Sequence, residues 1–471
     1  MFDPVITSHD ALLGLLRSGH GQGARRALVA DRVAVLDALD GCVVRDPRAV
    51  PATESRSLYY ARLYTDLDAG LDGLARHLLC DDDWTDEDAD RTALPLAVLG
   101  TLARLGRADA TALLRAYVEE GRDWAEALDR LAAVGQDTAL AGLLEVVLER
   151  GEDDELYDCV KRSTGMRPWR VWAAENERVR AVVEQVDLDW WRWELTRSIK
   201  IPTGPPTAPA QTVDQVLAEA ADGPRQSLAC GRRLSAVAGP EHRGAILAAA
   251  WAGPDGARSA ALRYLGEQGD GALLDLAEGA LAPETPAGVR LAAAHAIGGL
   301  RSPAAVARAR VWAGREDLLG EVAVRILAGA GEAVDGPILL DALRTRVAAP
   351  MRVGDPITDQ ADHFRLCDLV AGIGRLALVD ALDLVKGVYQ EAASAGLRAC
   401  AVQTLARIEP SFAADTAVEA LWDCQADTRL IAARHVDARR PEAVTRLRRL
   451  AGDPAEQDDV RTAALARLSE M

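Results

Sequence analysis

The side chains able to do chemistry in this 471-residue chain are few and widely scattered. Its seven histidines (9, 20, 77, 242, 295, 363 and 435) show no metal-ligand pairing, and no HExxH occurs. The seven cysteines (42, 80, 159, 230, 367, 400 and 424) include no CxxC, and their odd number and scatter fit a reducing compartment rather than a disulfide framework. A nucleophile elbow (GxSxG), a phosphate-cradling GxxxxGK[ST] and a dinucleotide-type GxGxxG are all missing. The acidic run "DDDWTDEDAD" at 81–90 invites a calcium reading. An EF-hand loop needs Gly at its sixth position and Glu at its twelfth, and neither register supplies them. Thr85 to Asp88 resembles a capping box instead, so the run reads as a helix start. The sequence therefore assigns no catalytic residue, no metal ligand and no cofactor.

Three tryptophans pose the sharper question. "DWWRWELTRSIKIPTGPPTAPAQ" at 189–211 places Trp190, Trp191 and Trp193 just before four prolines. On one helix, Leu188, Trp191, Leu195 and Ile199 share a face that should be core, while Trp190 and Trp193 project away from it. Those two rings either pack against the proline-rich stretch or anchor a partner, because Trp is over-represented among interface hot spots. The stretch itself, 201–211, reads as an extended connector, and Thr212 to Gln215 forms a capping box that restarts helix.

Charge narrows the class of partner. The net charge is −18, of which residues 1–200 carry −12 and residues 201–471 carry −6. Such a surface repels phosphate backbones and anionic lipid, so no nucleic acid and no membrane is expected. The N-terminus lacks a basic region followed by an apolar core, and no stretch approaches the length a membrane helix needs, which predicts a cytoplasmic protein. Leu and Ala dominate the apolar content and aromatics supply only 4 % of residues, a helical composition.

The elements that would position any site come from an internal repeat. In "GVRLAAAHAIGGL" at 288–300, Val289, Ala292, Ala293, Ala296, Ile297 and Leu300 follow the spacing of one helix face. Related segments recur, each led by an arginine: Arg225, Arg258, Arg290, Arg398, Arg429 and Arg461. Gly320 and Arg365 occupy the two slots between Arg290 and Arg398, and the successive spacings are 33, 32, 30, 45, 33, 31 and 32. The turns before most of these positions carry Asp, which predicts helix caps beside a structural ladder of arginines. A period near 32 has room for two short helices, and one such hairpin cannot bury both its faces, so copies must stack. The long interval leaves about a dozen extra residues near 346–362, predicted to be an exposed loop. That segment contributes Met351 and Arg352 as further candidate partner contacts. In the N-terminal half, 102–121 matches 131–151, and 1–90 shows no register.

The turn followed by V/L-R-x-x-A-A-x-x-x-L resembles HEAT repeats of the short phycobilisome-lyase type, over about 212–471 and, less regularly, 92–160. The resemblance implies an all-α, HEAT-like α-solenoid that binds other proteins. It does not bring in the chemistry of repeat enzymes. The His-Glu dipeptides of solenoid iron hydroxylases are missing, and the tryptophans lie among Asp187, Asp189 and Glu194, unlike the basic groove of HEAT-like DNA glycosylases. The expected organisation is an N-terminal array at 1–200, a connector at 201–211 and a C-terminal array at 212–471. The expected function is a non-catalytic interaction scaffold or adaptor in a bacterial cytosol. An enzyme or small-molecule binder with its site in the concave groove, or an operon-specific accessory or immunity protein, stands as the alternative.

Overall fold

The computed structural model describes residues 12–45, 56–80, 90–163, 167–199, 212–222, 227–348 and 356–471, without the side chains of 90, 190–199, 222 and 356–364. Twenty-nine α-helices and no strand occur among the described residues. None of those helices is long and apolar enough to cross a membrane. The helix Ala287–Gly298 illustrates why the sequence folds this way: Val289, Ala292, Ala293, Ala296 and Ile297 are all buried, as is Leu300 just beyond it. The 3.6-residue period thus converts directly into one buried stripe.

The chain divides into two compact units. The first comprises 1–201, 389–402 and 410–471; the second comprises 202–388 and 403–409. In the second unit the helices Ser227–Val237, Asp255–Glu267, Ala287–Gly298, Leu318–Ala330 and Pro356–Arg375 pack one on the next in chain order. Each of the last four is also flanked by the helix preceding it: Arg243–Ala252, Leu273–Ala280, Pro303–Trp312 and Gly336–Ala348 respectively. Small residues allow the close stacking. A Cβ on Gly266 would lie 2.7 Å from that of Ala296, and one on Gly372 would lie 2.6 Å from the Ala328 Cα.

In the first unit, the N-terminal helices pack with the last repeats of the chain, a grouping that the sequence, reading 212–471 as one array, did not anticipate. The physical ties are local and specific. Gly19, at φ +70°, accepts a hydrogen bond from the Cys424 backbone at 2.9 Å, and a Cβ there would lie 2.5 Å from the Cys424 sulfur. His20 stacks on Tyr389 with ring centroids 4.8 Å apart. The Arg62 guanidinium reaches Asp453 at 2.6 Å and Glu456 at 2.9 Å.

Three local expectations meet the structure differently. Thr212 and Gln215 form the reciprocal capping box, with bonds of 2.9 and 3.3 Å. The acids before the arginines are not caps: Asp255 and Asp458 open their helices and Asp427 is the second residue of its own, where they favour the positive end of the dipole without closing a cap bond. The insertion near 346–362 is not one loop. Helix runs through Ala348 and resumes at Pro356, so the added length is spent largely on extending Pro356–Arg375 to 20 residues. Residues 349–355, including Met351 and Arg352, lie outside the described residues.

Candidate functional site

The repeat arginines divide into two kinds. Arg398 and Arg429 are fully buried and saturated. Arg398 donates to the Asp423 carboxylate at 2.8 and 3.2 Å and to the carbonyls of Ala392 and Ala393 at 3.0 and 3.1 Å. Arg429 repeats the pattern on Glu456 at 2.8 and 2.6 Å and on the carbonyls of Asp423 and Cys424 at 2.9 and 2.6 Å. Each thus ties the end of the preceding helix to a carboxylate one repeat ahead. Burial pushes the Glu456 carboxyl up, but Arg429 overrides it and holds the pKa at about 2. Among the described residues, Arg290 donates to the Pro283 carbonyl at 3.1 Å, and Arg461 pairs with Asp458 in its own first turn. Arg258 is partly exposed and its Nε is buried without a partner. Arg225 lies outside the described residues. The sequence pattern is one; its structural use is not.

The side chains of Trp190 and Trp193 lie outside the described residues. Their helix spans Glu177–Ile199, and Leu188 on it is exposed, so the expected core face does not extend through it. Asp187 and Asp189 flank it in sequence, and Asp189 accepts a bond from the Tyr157 hydroxyl at 3.0 Å.

A concavity of the second unit lies where the arginine pattern fails. A cleft of about 620 Å³ opens around the helices Pro303–Trp312, Leu318–Ala330, Gly336–Ala348 and Pro356–Arg375. The turn before Leu318 shapes one wall. Asp317 caps the helix by accepting from the Leu319 and Gly320 amides, at 3.1 and 3.3 Å, and pairs with Arg315. The Arg315 carbonyl comes so close to position 320 that a Cβ there would sit 2.0 Å from its oxygen, which explains why this slot holds glycine. Leu318, Val322, Ile338 and Leu369 supply an apolar floor.

The rim is charged and largely neutralised. Arg365 reaches Glu321 at 2.7 Å and Arg325 reaches Asp368 at 2.8 Å. Arg310 binds Asp335 at 2.7 Å and Glu332 at 3.0 Å, an arrangement that raises the guanidinium pKa and lowers that of Asp335. Hydrogen bonding to Arg315 likewise lowers the Asp317 pKa. General acid–base work calls for a carboxyl moved toward neutrality, and these shifts run the other way. His, Cys, Ser and Tyr are missing from the described lining, and the Thr345 hydroxyl already donates to the Asp341 carbonyl at 3.0 Å. Such a cleft can hold and orient a segment.

Sequence reading missed a second arginine system in the first unit. Arg150 donates to the Val118 and Gly121 carbonyls at 2.7 and 2.5 Å, and Arg178 donates to those of Leu148 and Gly151 at 2.7 and 2.8 Å. Both neutralise the negative end of a helix about one repeat back. Their common feature is a pair of carbonyls three residues apart that ends on a glycine, visible only once the partner carbonyls are known. No group of three or more potential metal ligands occurs among the described residues. No protein-family model matches the chain, and a search of curated proteins finds no match.

Proposed function

We propose that the chain is a HEAT-like α-solenoid that serves in the cytoplasm as an interaction scaffold, with another protein as its partner and neither nucleic acid nor membrane. The stacking of successive second helices supports the solenoid reading, because each hairpin buries a face only against its neighbours. The observation that carries the binding reading is the cleft over Leu318, Val322, Ile338 and Leu369: an apolar floor inside a rim of paired charges.

The test uses the intact chain immobilised against a lysate of its native host. A protein retained by the wild type and lost on Ile338→Arg, with the melting temperature unchanged, supports the reading. Retention of nothing by the wild type, or equal retention by the variant, contradicts it.

A further inference from the structure

The second unit carries an arginine cluster in which, among the described residues, only Arg325 has an ion pair. Arg263, His295 and Arg325 come from the successive stacked helices Asp255–Glu267, Ala287–Gly298 and Leu318–Ala330. Arg301 follows the second of these, and Arg375 ends the helix Pro356–Arg375. Two of the arginines lie over glycines of neighbouring helices. A Cβ on Gly298 would lie 2.8 Å from the Arg325 Cδ, and a Cβ on Gly329 would lie 2.3 Å from the Arg301 Cζ. Each of these arginines therefore lies along the neighbouring helix, over a glycine.

Two acids lie nearby. Asp368 pairs with Arg325 at 2.8 Å, and Glu267, which accepts a hydrogen bond from the Ser235 hydroxyl at 2.7 Å, acts on Arg263 and His295 through its charge without forming an ion pair with either among the described residues. Arg301 donates to the Gly298 and Leu300 carbonyls at 2.8 and 3.0 Å, and Arg375 to those of Ala328 and Leu327, both at 3.1 Å. Carbonyl oxygens orient a guanidinium but leave its charge in place. Arg263 has no ion pair among the described residues, and its Nε is buried without a hydrogen-bond partner. The groups feel one another: the Arg301 pKa is lowered by burial and then by Arg325, and that of His295 by burial and then by Arg325 and Arg263. Arg301, Arg375 and His295 remain exposed.

Resting on the scaffold reading above, we propose that this face of the second unit docks an acidic segment of the partner protein, its carboxylates bridging Arg263, Arg301 and Arg375. Guanidinium groups pair bidentately with carboxylates, and a short acidic segment meets only this patch. A long phosphate backbone would also meet the surrounding surface of a chain whose net charge is −18.

The experiment measures fluorescence anisotropy of a labelled peptide of alternating Glu and Leu with the intact chain. A Lys/Leu peptide and a single-stranded oligothymidylate are run alongside. The expected result is binding of the Glu/Leu peptide that weakens with salt and falls about tenfold in Arg301→Gln/Arg375→Gln, equivalent to about 1.4 kcal/mol. Glutamine keeps a donor for the carbonyls, and an unchanged melting temperature shows that the fold is kept. Arg263→Gln, tested separately, should weaken binding in the same direction, while Arg308→Ala should leave it within about twofold. No binding of the Glu/Leu peptide, equal binding by the double variant, or equally tight binding of either control ligand would overturn the proposal. Failure of the scaffold reading looks different: the immobilised wild-type chain would then retain no host protein at all.

Discussion

Arginine does opposite work in the two units. In the first, Arg398 and Arg429 are sealed from water, each saturated by a carboxylate and two carbonyls. In the second, Arg301 and Arg375 use similar carbonyls, yet stay exposed and find no carboxylate among the described residues. The difference teaches that its surroundings, rather than the residue itself, decide what an arginine does. Where a later repeat offers an acid in the right place, as Asp423 and Glu456 do, the charge becomes part of the core. Where none is offered, the same charge is left for a ligand.

The comparison breaks most visibly at Arg398. Arg398→Ala leaves Asp423 buried without its partner, which costs about 3–5 kcal/mol, read as an earlier denaturation of the first unit. Arg398→Met combined with Asp423→Leu should lose less than either single change, since no lone charge remains. The next effect is a pH dependence confined to the same unit. His20 is buried, accepts from the Gln22 amide on Nδ1 at 3.1 Å and has Nε2 3.1 Å from the Tyr389 carbonyl. Burial, followed by Arg398, lowers its pKa from 6.5 to about 4. The unfolded chain thus takes up the proton more readily. Stability is whole above pH 6.5 and falls as the pH drops from 6.5 to about 4, by about 3 kcal/mol in all. Urea midpoints across that range should slope for the wild type and flatten for His20→Gln. Glu456, held at about 2 against a usual 4.5, adds a second loss as the pH falls below 4.5.

Smaller effects sharpen the contrast. Gly320→Ala drives a Cβ toward the Arg315 carbonyl and should cost about 1–3 kcal/mol in melting experiments on the second unit. Arg290→Ala, which removes one hydrogen bond to the Pro283 carbonyl, should cost about 1 kcal/mol or less. The sequence pattern ranks Arg290 and Arg398 as equals; their surroundings do not.

Much of the helical layout could be read from residue spacing, because a stripe such as Val289 to Leu300 needs only the 3.6-residue period to be recognised. The capping box at Thr212 was equally visible, since its two partners are three residues apart. Long-range partners were not. Nothing in the spacing reveals that Cys424 meets Gly19, or that Arg62 bonds Glu456, because contacts across hundreds of residues leave no periodic trace. The cleft was half legible: Gly320 marked the place as a break in the arginine series, but the close Arg315 carbonyl that requires it depends on a turn whose path the sequence does not specify. The cluster at Arg263, Arg301 and Arg375 was hidden because only part of it follows the repeat, and two of its arginines lie over glycines on neighbouring helices.

The central claim is that buried arginines hold the first unit together while exposed ones on the second unit recognise an acidic segment. One paired measurement tests it directly: the denaturation midpoint and the Glu/Leu peptide affinity, recorded for Arg398→Ala and for Arg301→Gln/Arg375→Gln on the same intact chain. The account predicts a crossed result, with the midpoint lowered and affinity kept in the first variant, and affinity lowered and the midpoint kept in the second. If both variants shift the same quantity, the division of labour between the two sets of arginines is wrong.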